Sequence, residues 1–111
     1  MTRDADGAEP LASTMPLVVV AIFRAAPGRF DDLEAELTAL IAPTRAEAGC
    51  QRYELNRATN EAGVLYFTEI WASPAAHEAH LATPHIRRLL KVVADLVAEP
   101  IRELKGHQLG G

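Results

Sequence analysis

One cysteine, one tryptophan and a 5% share of aromatic residues in a chain of 111 each close off a class of function. A lone Cys50 forms no intrachain disulfide and cannot supply the sulfur sets of common zinc sites or iron–sulfur clusters. It suits a reducing, cytoplasmic setting. The formal charge is −4 and Lys and Arg form no block, so the footprint of a nucleic-acid binder is missing and no nucleic-acid partner is expected. No apolar run approaches the roughly 20 residues that span a bilayer, which argues against a membrane role. Neither a G-x-G-x-x-G turn nor a P-loop is present, so nucleotide cofactors lose their usual cradles.

What is present is enough for one core. Hydrophobic residues make up 49%, and the length fits one domain. Residues 1–15 are small and polar, with Asp4, Asp6, Gly7, Glu9, Pro10 and Ser13, and lack the basic and apolar regions of a signal peptide. They read as a disordered leader before a domain over residues 16–108, with Met15 as an alternative start.

Residues 17–25 (LVVVAIFRA) are apolar on both alternating faces and read as a central strand closed by Pro27-Gly28. Phe30, Leu33, Leu37, Leu40 and Ile41 recur at helical spacing behind early acidic residues, with Pro43 weakening the end and Gly49 closing it. Residues 50–57 alternate as an edge strand, with Tyr53 and Leu55 on one face. Residues 58–63 supply a turn, and residues 64–71 form a mostly apolar strand with Leu65, Phe67, Glu69 and Trp71 on one face. Ser73-Pro74 and Thr83-Pro84 are two hydroxyl-then-proline helix starts. The first predicts a short helix to Leu81. The second predicts a longer one with Ile86, Leu89, Leu90, Val93, Leu96 and Val97 buried, ended by Pro100 and followed by a second edge strand over residues 101–107.

The order β-α-β-β-α-α-β with two doubly apolar strands predicts an α+β fold: a ferredoxin-like split βαβ with a four-stranded antiparallel sheet. Helices cover one face of such a sheet, yet Val18, Val20 and Ile22 and also Val19, Ala21 and Phe23 need burial, so something must cover the other face. A second copy is the simplest cover, so a homodimeric α/β barrel is expected.

The chemistry concentrates late in the chain. Glu69-x-Trp71-x-Ser73 ends a strand on a carboxylate and the only indole, and His80-x-x-Thr83-Pro84-His85 brings two of the four histidines back over it. A carboxylate on an inward apolar face needs a partner, so Glu69 is expected to meet His80 or Arg24, or to orient a catalytic histidine. A histidine in the first turn of a helix is held neutral by the dipole, which suits His85 for proton abstraction. Each group also has a plainer reading: Trp71 as a core aromatic, the histidines as packed corner residues. His77 and His80 stand at i, i+3, but with no third ligand at helical spacing no metal site is expected. Arg87, Arg88 and Lys91 read as a solvated basic face, and Cys50 as a small buried residue.

These blocks, with Pro27-Gly28, Gly49-Cys50 and Tyr53, resemble the antibiotic biosynthesis monooxygenase superfamily of dimeric α/β barrels, which includes small quinol monooxygenases. The resemblance runs from about Leu17 to about Leu104. It implies oxidation by O₂ of an electron-rich aromatic small molecule, such as a quinol or a polycyclic aromatic, with no flavin, haem or metal cofactor. The protein would supply a base, a dry pocket and orientation. On that reading His80 or His85 is the base, Glu69 its orienter, and Trp71, Phe67, Tyr53 and Phe23 contact the substrate. Haem-degrading relatives carry Asn and His at positions that fall at about Ala21 and Leu89 or Leu90, which disfavours haem here. Another branch isomerises a phosphorylated signalling sugar derivative, so an isomerase using Arg87, Arg88 or Lys91 for phosphate stands as a rival. A non-catalytic small-ligand-binding protein of the same fold stands as another.

Overall fold

The computed structural model describes residues 14–111, so nearly all of the expected leader lies outside the described residues. Its strands are β1 (Leu17–Arg24), β2 (Cys50–Arg57), β3 (Val64–Trp71) and β4 (Arg102–Gly106). They form one antiparallel sheet in the order β2-β3-β1-β4. The two strands that are apolar on both faces take the middle, because only central positions bury both. Helices α1 (Phe30–Thr38), α2 (Ile41–Arg45), α3 (Pro74–Leu81) and α4 (Pro84–Val92) pack on one face of the sheet, and a 3₁₀ turn over Val93–Asp95 follows α4. No helix among the described residues is long and apolar enough to cross a membrane.

The covered face carries the core. Leu17, Val19, Ala21 and Phe23 of β1 alternate inward and pair across the sheet with Trp71, Glu69, Phe67 and Leu65 of β3. Leu33, Leu37 and Leu40 close over them from the first helical segment, and Ile86, Leu89, Val93 and Leu96 from the last. Gly63 takes a left-handed φ of 80° in the β2–β3 turn, a conformation that costs glycine nothing. The opposite face keeps Val18, Val20, Ile22 and Ile70 half-buried and Leu104 half-exposed, with no helix over it among the described residues.

Three local expectations need correction. The first helix divides at Ala39–Leu40 before Pro43 is reached. The last α-helix stops at Val92 and tightens to 3₁₀ geometry, and Leu90, within the helix, stands 55% exposed instead of in the buried stripe. Gly49 has no left-handed φ. A Cβ there would stand 2.3 Å from the Cβ of Ala76, so the residue is needed for close approach of the α2–β2 loop to α3.

Candidate functional site

Ala21 is the shortest side chain on the inner face of β1, and its size leaves room beneath α4. A cavity of about 280 Å³ fills that room, walled on the sheet side by Phe23, Tyr53, Phe67 and Glu69 and on the helix side by His80, Ile86 and Leu89. Leu81 and Leu90, both partly exposed, stand at its rim. The exposure of these two leucines therefore has a local use as an apolar mouth.

The sheet wall is aromatic. Tyr53 and Phe67 stack at 4.3 Å between centroids with an interplanar angle of 23°, and Phe23 meets Phe67 edge-on at 6.2 Å. Burial holds the Tyr53 phenol well above its usual pKa, so it stays neutral. Trp71 does not line the cavity. It is fully buried behind His80, ring centroids 4.5 Å apart, and acts there as a packed support.

Glu69 does not take the partners expected from sequence. Its Oε1 accepts the Trp71 indole N–H at 2.8 Å, while Arg24 pairs with Glu61 and Glu99. Burial is the main cause that lifts the Glu69 carboxyl from an ordinary 4.5 to about 7; the indole bond opposes it, and Glu103 and Glu47 reinforce it.

The histidines are instead gathered by Glu47, a residue that sequence reading passed over. Glu47 Oε2 lies 2.9 Å from His80 Nδ1 and 2.6 Å from His85 Nε2. Two backbone features bring these distant residues together. Gly49 lets the loop lie against α3, where its carbonyl accepts the Ala72 N–H at 2.8 Å. The Thr83 hydroxyl does not cap α4 as expected; it donates to the His80 carbonyl at 2.8 Å and ties the corner between the two imidazoles. Ser73 caps α3 as predicted, accepting from Ala76 N–H.

His80 is 3% exposed, and burial lowers its pKa against the opposing pull of Glu47. Its ring is therefore neutral near pH 7. With Nδ1 held by Glu47, Nε2 is the nitrogen left for a ligand in the cavity. His85 sits outside the cavity wall, 21% exposed at its side chain. His77 is buried with Nε2 unbonded, 3.8 Å from Glu103 Oε2. The i, i+3 pair His77 and His80 does not gather a ligand set. Glu47, His80 and His85 do, with one donor atom from each inside a 4.8 Å spread.

Residues 16–92 match the family model described as antibiotic biosynthesis monooxygenase. Rv0793 of Mycobacterium tuberculosis, provisionally named a monooxygenase, is 35% identical over 88 residues, covering 79% of this chain and 86% of its own. The crystal structure of PA3566 from Pseudomonas aeruginosa has a TM-score of 0.82 at 36% identity and covers 88% of this chain and 98% of that one. That of SO0527 from Shewanella oneidensis has a TM-score of 0.81 at 36% identity, with coverages of 86% and 92%.

Proposed function

The chain belongs to the antibiotic biosynthesis monooxygenase family, and from that premise we propose that it oxidises a small hydroxyarene of the quinol type with O₂ in the cavity beside His80. Membership and the relative's name support a monooxygenase-like function in general terms; the substrate class rests on the cavity. Its volume of about 280 Å³ lies just under the ~300–1,000 Å³ usual for drug-sized ligands. A one- or two-ring aromatic suits it better than a polycyclic one. Stacked Tyr53 and Phe67 give a planar ring a planar neighbour.

The observation that carries the reading is the opposed tuning of two facing groups. His80 is pushed toward its neutral, basic form and Glu69 toward its protonated, acidic form, the pattern that separates base from acid in one site. His80 Nε2 takes the hydroxyl proton of the substrate, and Glu47 accepts from Nδ1–H as charge grows on the ring. The electron-rich phenolate reduces O₂ and forms a carbon–peroxide bond. Glu69 donates a proton to that peroxide, water leaves as the ring C–H is lost, and a carbonyl remains. One oxygen atom thus enters the product and the other leaves as water. Trp71 holds the Glu69 carboxyl in place through its indole N–H.

The cavity wall carries Glu69 and Glu103 and neither Lys nor Arg, an arrangement that opposes a phosphorylated ligand. Arg88 is engaged by Glu36 at 2.9 Å. For the open sheet face, a second copy is the proposed cover, giving a homodimer; a monodisperse monomer at micromolar concentration by light scattering would defeat that part. The free Cys50 thiol suits the cytoplasm. The deciding experiment is aerobic and anaerobic incubation with a menadiol-type quinol under ¹⁸O₂. One labelled oxygen per product supports the oxygenase. Turnover of a phospho-sugar without O₂ supports an isomerase, and binding with neither reaction supports a ligand carrier.

A further inference from the structure

Glu47 Oε2, His80 Nδ1 and His85 Nε2 converge from three separate places in the chain, the α2–β2 loop, α3 and α4, onto one point. We propose that this triad is a site for a single divalent first-row transition ion, best suited to Zn²⁺, and that loading it moves the His80 proton to the ring nitrogen serving the cavity.

The donor chemistry fits. Two imidazole nitrogens and one carboxylate oxygen form a three-ligand set for a borderline ion, with a position left for water. No Lys or Arg pairs with Glu47 among the described residues, so no resident cation competes. Access is uneven in a useful way. The side chains of Glu47 and His85 are 15% and 21% exposed, whereas that of His80 is 4% exposed. An ion arrives from the solvent side and meets a nearly sealed ligand behind. The site is also held in advance, by the Gly49–Ala76 approach and by the Thr83 hydroxyl on the His80 carbonyl.

The proton count gives the consequence. Without an ion, His80 Nδ1–H and His85 Nε2–H both donate to the Glu47 carboxylate. An ion takes the lone pairs of those same two nitrogens, so the neutral His80 ring must carry its proton on the other nitrogen and shifts from Nδ1–H to Nε2–H. The nitrogen available to the cavity becomes a donor and loses the lone pair a base needs. The ion site does not rest on the oxygenase reading; only the statement that loading silences the base does.

The test uses untagged full-length protein freed of metal by chelator and dialysis. Titration with Co²⁺ as a spectroscopic stand-in should give one visible-absorbing ion per chain. His85→Ala and Glu47→Gln should each weaken it about tenfold or more, and His77→Ala should leave it unchanged. With Zn²⁺, the imidazole ¹⁵N pattern of His80 should invert from Nδ1–H to Nε2–H at one equivalent. Absence of the Co²⁺ band, an undiminished band in His85→Ala, or weakening in His77→Ala overturns the site. A Zn²⁺-bound protein whose His80 keeps its original tautomer overturns the proton shift. None of these readouts needs a substrate, so failure of the quinol assay leaves them intact. Circular dichroism confirms that each variant is folded, and His85 is exposed enough for His85→Asn to serve as a second substitution.

Discussion

Two glutamates bear on one small cavity, Glu69 from its wall and Glu47 only through His80, and their surroundings give them different chemistry. Glu69 projects from a central strand into apolar packing with a single indole N–H as partner, and burial raises its carboxyl to about 7. Glu47 stands in a loop at the corner of α3 and α4, where two imidazoles share one of its oxygens. A carboxyl alone in a core becomes an acid that can give a proton near neutral pH. A carboxyl between two imidazoles becomes a clamp that fixes which ring nitrogen carries hydrogen. On the proposed reading, the strand wall stores a proton and the helix corner orients a base.

The sharpest way to break this contrast is to remove the base. His80→Ala should lower quinol turnover about 10²–10⁴-fold with the helical signal retained; a Glu69→Gln loss of equal size with His80→Ala active would reverse the two roles. Next is the support behind the base. Trp71→Ala removes a fully buried aromatic and should cost about 3–5 kcal/mol in urea unfolding; a cost near zero would mean that His80 needs no such backing.

Glu69→Gln tests the strand wall through stability. The folded pKa of Glu69 is raised from 4.5 to about 7, so folding binds its proton more tightly than the unfolded chain does. Its favourable contribution is full below about pH 4.5 and is lost as pH rises toward 7. The variant should therefore gain on the parent across that window, by at most about 3 kcal/mol above pH 7. A stability difference flat with pH would show that Glu69 ionises freely in the fold. The smallest effect belongs to Gly49→Ala. Its new Cβ would press on Ala76 and should cost about 1–3 kcal/mol while loosening Glu47 from the histidines; a neutral substitution would place the loop farther from α3.

The strand wall was legible in the sequence and the helix corner was not. Strict alternation in residues 64–71 puts Phe67, Glu69 and Trp71 on one face, and β3 runs over that span with that face inward. The doubly apolar β1 and β3 foretold the centre of the sheet. Glu47 carries no comparable signal. It lies in a four-residue loop of otherwise small residues without periodicity, and its partners are 33 and 38 residues away. Only the close approach at Gly49, which reads in sequence as a helix stop, joins that loop to α3. Thr83-Pro84 likewise announces a helix start, but nothing local reveals that the hydroxyl turns back to His80. Alternation and capping are short-range patterns; the pairing of two elements across a corner depends on packing that forms only once the sheet is built.

The orientation of His80 is the point on which both roles turn, and its ring tautomer can be read directly by ¹⁵N-correlated spectroscopy on the metal-free protein at neutral pH. Hydrogen on Nδ1 with a bare Nε2 is the expected result, and Glu47→Gln should blur it into a mixture of tautomers. Hydrogen on Nε2 with a bare Nδ1 in the parent protein would contradict it, since Glu47 would then be the donor and the cavity would hold no imidazole base.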